Sequence, residues 1–158
     1  MKILPPAAYQ PLAHAVFAEV AGQVRLLLPL ARIEHIGASS IPGAVSKGDL
    51  DICVVVHPGD HAPAVQALQT AGYAVKDGTL RTPELCMLVS PRSDLDTALQ
   101  VVAAGSRFEF FMQFRDALRA QPVLVERYNQ LKTEFASAGE DLYREEKARF
   151  IEAVLKAI

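Results

Sequence analysis

The chain has 158 residues, which is the size of one ordinary domain and too short for two independent cores. Hydrophobic residues make up 51% of the sequence and charged residues 22%, which excludes a disordered chain because enough apolar surface is available for burial. The formal net charge of −2 provides no general attraction to a phosphate backbone, so nucleic acid is not expected as a partner. We therefore expect a single domain over residues 1–158.

Two features of the sequence indicate the cellular compartment of the protein. Cys53 and Cys86 each lie in an apolar run, where a thiol behaves as a small buried hydrophobe, and neither belongs to a CxxC motif. The N-terminal residues contain prolines where a secretory signal would carry its apolar segment, and no apolar run reaches the roughly 18 residues of a membrane span. We therefore expect a cytoplasmic protein without a membrane partner.

Hydrophobic periodicity predicts helices at both ends of the chain and strands in its middle. Pro11 suits the first turn of the leading helix, and a turn-rich segment between the last two strands indicates an antiparallel hairpin. The predicted helices cover residues 11–28, 62–71, 107–119, 122–137 and 140–157, and the predicted strands cover residues 32–36, 49–56, 73–75, 84–90 and 97–103. The fold class is therefore α/β of the α+β type, with a mixed sheet of about five strands, one leading helix, one crossover helix and three C-terminal helices.

Two short motifs carry candidate chemistry. Asp49 and Asp51 are two residues apart at the start of the most apolar strand, so their carboxylates project to the same face and repel one another unless a divalent cation binds. Upstream, Gly37, Ser39 and Ser40 lie where a strand ends and a tight loop begins, and such a loop offers backbone and hydroxyl donors to phosphate oxygens. Together the motifs predict a site for a metal-bound nucleotide.

Each motif taken alone has a simpler interpretation. An Asp-x-Asp pair at a strand start is often a solvated edge, and two serines before a proline often form only a turn. The spacing makes the combination more specific. A strand, Gly-x-Ser, a short loop and then Asp-x-Asp opening an apolar strand is typical of the nucleotidyltransferase superfold.

Residues 35–56, HIGASSIPGAVSKGDLDICVVV, resemble the core motif of the GrpB family, which reads His-Ile-Gly-Ser-Thr-x-Val-Pro-Gly followed by a lysine and an aspartate-bearing strand. Residues 114–136, FRDALRAQPVLVERYNQLKTEFA, are similar to that family's Phe-Arg-Asp-Tyr-Leu-Arg helix and to the Pro, Tyr and Leu-Lys that follow it. Tyr143 and Lys147 fall where the family carries a tyrosine and a lysine. The resemblance extends from Ile33 onward.

The resemblance implies a fold and a class of reaction. Members of the superfold transfer a nucleotidyl group from a nucleoside triphosphate to an acceptor, using two Mg²⁺ ions held by three carboxylates. For this chain it implies that Asp49 and Asp51 are the first two metal-binding and catalytic carboxylates, that Mg²⁺ or Mn²⁺ is the cofactor, and that a nucleoside triphosphate and a small-molecule acceptor are the partners. Gly37, Ser39 and Ser40 would then bind the nucleotide.

The third carboxylate is missing from the strand where it is expected. Residues 97–101 read TALQV, where GrpB-like proteins usually show Arg-His-Leu-His-Val. Gln100 is the strongly polar side chain predicted to face the site, and a neutral amide is a poor substitute for a metal-bridging carboxylate or a general base. Asp96, at the strand entry, is an alternative third ligand. Ala38 also replaces the first serine of the family motif.

Further candidates each have a structural alternative. Lys47, just before the acidic pair, would neutralise a triphosphate or be an ordinary surface lysine. Arg115 would bind phosphate in a bidentate manner or form a surface pair with its neighbour. Tyr143 and Lys147 share a helical face and would contact substrate or only pack against the sheet.

Three functions follow from these residues. The first is Mg²⁺-dependent nucleotidyl transfer onto a small molecule. The second is a nucleotide-binding or regulatory domain without turnover, which the missing carboxylate favours. The third is a structural or partner-binding domain. The sequence does not define the acceptor, the base preference or the oligomeric state.

Overall fold

The computed structural model describes residues 1–158, and a single five-stranded mixed sheet forms its centre. The strands are β1 (Arg32–Ile36), β2 (Leu50–Val56), β3 (Ala74–Val75), β4 (Leu85–Val89) and β5 (Thr97–Ala103). Their order is β1-β2-β5-β4-β3, with β2 and β5 parallel and the other neighbouring pairs antiparallel. This arrangement confirms the predicted mixed sheet and the predicted hairpin of its last two strands.

Five α-helices surround the sheet, as predicted. They are α1 (Pro6–Leu27), α2 (His61–Thr70), α3 (Phe110–Ala120), α4 (Pro122–Phe135) and α5 (Glu140–Lys156). None of them combines the length and the hydropathy that a membrane span requires.

The prediction that Pro11 lies in the first turn of the leading helix is wrong. Helix α1 begins at Pro6, and Pro11 lies inside it. Pro6 takes the first-turn position, where the missing N–H would have no helical partner in any case. The added turn is fixed by tertiary structure, because the Tyr9 hydroxyl donates to the carbonyl oxygen of Ala44 at 2.9 Å.

Strand β2 directs its side chains alternately to two helical layers. Ile52 and Val54 belong to the larger core cluster, which also contains residues of α1 and α2. Cys53 faces the opposite side, in a second cluster with Met112 of α3. By the same alternation Asp51 lies on the α3 side of the sheet. The start of β2 therefore presents its polar side chain to the three C-terminal helices.

The C-terminal helices pack on the segment that follows β1. Ile41 and Ala44 of that segment are buried in a third cluster together with residues of α3, α4 and α5. Within this cluster the rings of Tyr128 on α4 and Phe150 on α5 stack with their centroids 5.0 Å apart. The helices are thus fixed beside the loop that leads into β2.

Arg115 attaches α3 to β1. Its side chain is buried and donates to the carbonyl oxygen of His35 at 3.0 Å, to Glu34 Oε1 at 3.1 Å and to Asp116 Oδ1 at 2.9 Å. The two bonds to β1 come from one planar guanidinium and fix the helix relative to the strand, while the bond to Asp116 remains within α3.

Replacing Arg115 with methionine should lower the free energy of unfolding by about 2 to 3 kcal/mol, because the hydrogen bonds to charged partners are lost and the carbonyl of His35 loses its donor. Urea denaturation measures this difference. Arg149→Met on α5 is the control, since it removes two exposed ion pairs that are worth about 0 to 1 kcal/mol. Equal losses for the two variants would show that Arg115 does not anchor α3.

Candidate functional site

The acidic pair lies at the entry of β2, next to the turn that leaves β1. Ile36 pairs with Asp51 across the two strands, so Gly37 follows at the same edge. Gly37 has a φ of +72°, and a Cβ atom at this position would lie 2.7 Å from Asp51 Oδ2. Both the backbone conformation and the space therefore require glycine. The peptide backbone consequently approaches the carboxylate more closely than another residue would permit.

Asp49 and Asp51 differ in their partners. Asp49 accepts a hydrogen bond from the Ser46 hydroxyl at 3.3 Å, and its Oδ2 lies 3.8 Å from Lys47 Nζ. Asp51 is half-buried and accepts no hydrogen bond from the protein. Burial and then the charge of Asp49 raise the pKa of Asp51 to about 7, against the smaller opposing effects of Lys147 and Lys47. The protein therefore leaves the Asp51 carboxylate with unused acceptor capacity.

A cavity of about 180 Å³ joins this acidic pair to α4 and α5. Its lining is mainly polar and combines the sheet edge, the loop before β2 and the two last helices. The lining residues are Met1, Gly37, Ala38, Ser46, Lys47, Asp49, Asp51, Tyr128, Lys132, Glu140, Tyr143, Arg144 and Lys147. Five residues of the predicted site therefore meet around one cavity in addition to Gly37: the two aspartates, Lys47, Tyr143 and Lys147.

The two serines of the predicted phosphate loop use their hydroxyls within the loop. Ser39 Oγ lies 2.8 Å from His35 Nε2, and Ser40 Oγ donates to the carbonyl oxygen of Gly37 at 2.6 Å. Both serines are buried and neither borders the cavity. The His35 ring stacks on Phe17, and burial lowers its pKa to about 4, so the imidazole is neutral near pH 7. These bonds shape the loop.

The register of β2 with β5 locates the candidates for a third ligand. Asp51 pairs with Ala98, and Gln100 pairs with Cys53, one step further along the same face. Asp96 is exposed, and its carbonyl oxygen accepts the N–H of Leu50 at 2.9 Å. Neither Gln100 nor Asp96 borders the cavity, and Arg115 is engaged with β1. The position directly beside Asp51 on β5 is therefore Ala98, whose side chain cannot bind a metal ion.

The sequence analysis missed Lys132 and Arg144, which also line the cavity. Lys132 is 2% exposed, its ammonium group donates to the carbonyl oxygen of Val45, and burial lowers its pKa to about 7. One signal for Lys132 was present in the sequence. Tyr128 and Lys132 on α4 repeat the Tyr-x-x-x-Lys spacing of Tyr143 and Lys147 on α5.

The carboxylates fit one divalent cation. No group of three or more His, Cys, Asp or Glu side chains in the structure is arranged to hold a metal ion. Magnesium in phosphate-binding sites commonly takes only one or two protein carboxylates and completes its shell with water and phosphate oxygens. Asp49 and Asp51 provide that set, with the free acceptor capacity of Asp51. They do not provide the three carboxylates that two bridged ions need.

A larger groove of about 800 Å³ is lined by residues of α3, α4 and α5, with Leu124, Phe150 and Val154 among them. None of the predicted site residues borders it. Of these two cavities, the smaller one is therefore the candidate functional site.

The mixed sheet, with a glycine turn after β1 and an acidic pair at the start of the interior strand β2, defines the nucleotidyltransferase fold. The solved structure of the Cid1 poly(U) polymerase with MgGTP bound is similar to this chain with a TM-score of 0.51 and 12% identity, over 75% of this chain and 38% of that chain. At this identity the likeness concerns the fold alone.

The chain belongs to the GrpB family. The family described as GrpB protein matches residues 7–157. A UPF0157 protein of Vibrio cholerae is 51% identical over 93% of this chain and 78% of its own length, and a UPF0157 protein of Deinococcus radiodurans is 32% identical over 85% and 71%. The crystal structure of GrpB from Enterococcus faecalis has a TM-score of 0.78 and 22% identity, and the match covers 99% of this chain and 98% of that one. These matches confirm the resemblance found in the sequence.

Replacing Asp51 with asparagine should stabilise the metal-free protein above pH 7. The pKa of Asp51 is about 7 in the folded protein, against an ordinary value of 3.8. Between these two pH values the folded wild type keeps the Asp51 proton that the unfolded chain releases. Its stability therefore falls as pH rises through this window, and Asp51→Asn removes that loss. Each pKa unit corresponds to about 1.4 kcal/mol, so a gain of at least about 1 kcal/mol is expected at pH 8.

Thermal melting in chelator at pH 4 and pH 8 measures this effect, which should shrink toward pH 4. Asp77→Asn, in an exposed turn, is the control and should leave the melting temperature unchanged. Asp49→Asn should remain near wild type, because relief of repulsion is offset by the loss of its contacts with Ser46 and Lys47. A lower melting temperature for Asp51→Asn at pH 8 would assign the carboxylate a structural role.

Proposed function

We propose that this GrpB-family chain binds a nucleoside triphosphate together with Mg²⁺ or Mn²⁺ and transfers the nucleotidyl group to a small-molecule acceptor. The proposal is supported by one observation above all. On a nucleotidyltransferase fold, two carboxylates with incomplete hydrogen bonding and several cationic side chains share one small cavity. Such an arrangement suits an anionic ligand that is accompanied by a metal ion.

Each group in the cavity has a place in this proposal. Asp49 and Asp51 would hold the cation, which when bound neutralises phosphate charge and polarises a phosphoryl oxygen. Gly37 lets the backbone approach the ligand beside Asp51. Lys47, exposed at the cavity edge and 3.8 Å from Asp49, would exchange this weak ion pair for a phosphate. Tyr143 is buried and presents its ring at the cavity wall.

A second function is supported by the residue beside Asp51. Ala98 occupies the neighbouring position on β5, where a third carboxylate would complete a two-ion site and accept the proton of an acceptor hydroxyl. A chain that retains the nucleotide and one ion but lacks this group would act as a nucleotide-binding or regulatory domain. The two functions share the binding site and differ in turnover.

Isothermal titration with ATP tests the binding step. In the wild type, Mg²⁺ should strengthen ATP binding by about tenfold or more, because the cation changes repulsion by two carboxylates into attraction. Asp49→Asn and Asp51→Asn should each lose most of this Mg²⁺ effect. Mg-ATP should also raise the melting temperature of the wild type, since a ligand that binds only the folded state stabilises it.

The control for these titrations is Asp77→Asn, whose carboxylate lies far along the chain in an exposed turn. It should retain the full Mg²⁺ effect. Equal ATP affinity in Mg²⁺ and in excess chelator would contradict the metal assignment. A Mg²⁺ effect that survives both aspartate substitutions would place the ion elsewhere.

Ala98→Asp tests the role of the third position. The new carboxylate would lie beside Asp51 and should strengthen Mn²⁺ binding by about tenfold, because a third negative ligand joins the pair. Gln100→Asp, one step further from the pair, is the matched control and should have a smaller effect. Pyrophosphate release from Mg-ATP by the wild type would support transfer. Pyrophosphate release by Ala98→Asp alone would favour the nucleotide-binding domain as the function of the wild type. Equal Mn²⁺ binding by the wild type, Ala98→Asp and Gln100→Asp would reject position 98 as the place of a third metal ligand.

A further inference from the structure

Two lysines of the C-terminal helices line the cavity together with the acidic pair. Lys132 on α4 and Lys147 on α5 both line it, each four residues after a tyrosine that also lines it. Lys147 Nζ lies 5.4 Å from the ring centroid of Tyr143, and Lys132 Nζ lies 4.1 Å from that of Tyr128. The two helices therefore present two equivalent Tyr-Lys pairs to the same space.

Neither of these lysines forms an ion pair within 4.0 Å, although the charges of Asp49 and Asp51 act on Lys147 and that of Asp49 acts on Lys132. Lys132 donates to the carbonyl oxygen of Val45, and Lys147 forms neither a hydrogen bond nor an ion pair. By contrast, Lys47 pairs with Asp49 and Arg144 pairs with Glu140. An ammonium group has three donors, so the buried Lys132 and the half-buried Lys147 both retain unused donors. Holding such cations away from water is costly unless an anion compensates them.

The charges of the lining also differ from the sequence-based picture of an acidic centre. Four cationic residues line the cavity against three acidic ones, and two of the cations, Lys132 and Lys147, form no ion pair within 4.0 Å. The serine hydroxyls that the sequence suggested as phosphate donors are turned into their own loop. The ammonium groups that are free of an ion pair are therefore on the helices.

We propose that Lys132 and Lys147 form a phosphate clamp that binds the triphosphate of the ligand directly and without a divalent cation. The inference rests on the proposed function and assigns the phosphate-binding part of that same site. The cavity of about 180 Å³ is smaller than the roughly 300 to 1,000 Å³ of sites that enclose a whole drug-sized ligand. It accommodates the phosphates and leaves the base outside, so the clamp recognises phosphate and not the nucleobase.

A purely structural role of the two lysines predicts a different outcome. If they only offset the charge of Asp49 and Asp51, then removing one lysine changes stability and no phosphate binds in the absence of metal. If they form a clamp, the aspartates oppose phosphate binding in the absence of metal. Substitutions of the lysines and of the aspartates then act in opposite directions.

The test is calorimetric titration of inorganic tripolyphosphate into the full chain in excess EDTA at low ionic strength. The wild type should bind tripolyphosphate. Lys132→Gln and Lys147→Gln should each weaken binding by about tenfold or more, which corresponds to about 1.4 kcal/mol of binding free energy. Asp51→Asn should strengthen binding several-fold. Lys156→Gln, an exposed position on α5 outside the cavity, is the matched control and should match wild type. ATP, GTP, CTP and UTP should bind with similar affinity in EDTA.

Lys147 is half-buried, so Lys147→Gln provides the result if the fully buried Lys132 does not tolerate substitution. Absence of tripolyphosphate binding in EDTA, with Mg-ATP binding retained, would overturn the clamp and leave the proposed function standing. Binding in EDTA that survives Lys147→Gln would also overturn it. Binding that depends on Lys147, with no Mg²⁺ effect on ATP, would support the clamp and reject the metal assignment.

Discussion

Repulsion between the carboxylates of Asp49 and Asp51 is the constraint on which the arrangement of this site depends. The chain places two negative groups at the entry of a strand that is otherwise apolar, and the sheet alone offers them little compensation. Positive charge comes from Lys47 and from α4 and α5. The C-terminal helices therefore do more than cover the sheet, because they supply the charge that lets the acidic pair coexist in a partly buried position.

This dependence explains why the attachment of the helices is elaborate. Arg115 joins α3 to β1 through two hydrogen bonds, and Arg119 Nε donates to the carbonyl oxygen of Ser40 at 2.9 Å. Asn129 on α4 both accepts from the Val45 N–H and donates to the Gly43 carbonyl, at 2.9 Å in each case. The bonds of Arg119 and Asn129 involve the backbone of the segment between β1 and β2. Loop and helices thus form one rigid frame around the cavity.

Local sequence predicted the sheet and one half of the site. The strands and the Asp-x-Asp pair are encoded by a two-residue alternation, and Gly37 by the turn that ends β1, so they are visible within a short window. Lys132 is not, because the sequence of α4 does not show that this helix packs on the segment around Val45. The partners of Ser39 and Ser40 were equally hidden. Hydroxyls in a Gly-x-Ser loop can face a ligand or the loop itself, and only the folded structure shows that Ser39 contacts His35 and that Ser40 contacts the Gly37 carbonyl.

The aromatic content of the chain has a spectroscopic consequence. The sequence contains no tryptophan and four tyrosines, so its near-ultraviolet emission arises from tyrosine. Two of the four, Tyr128 and Tyr143, border the cavity beside the amino groups of Lys132 and Lys147. Whatever enters the cavity changes the surroundings of these phenol rings. The chain therefore carries an intrinsic fluorophore at its own site, and occupancy can be followed without any label.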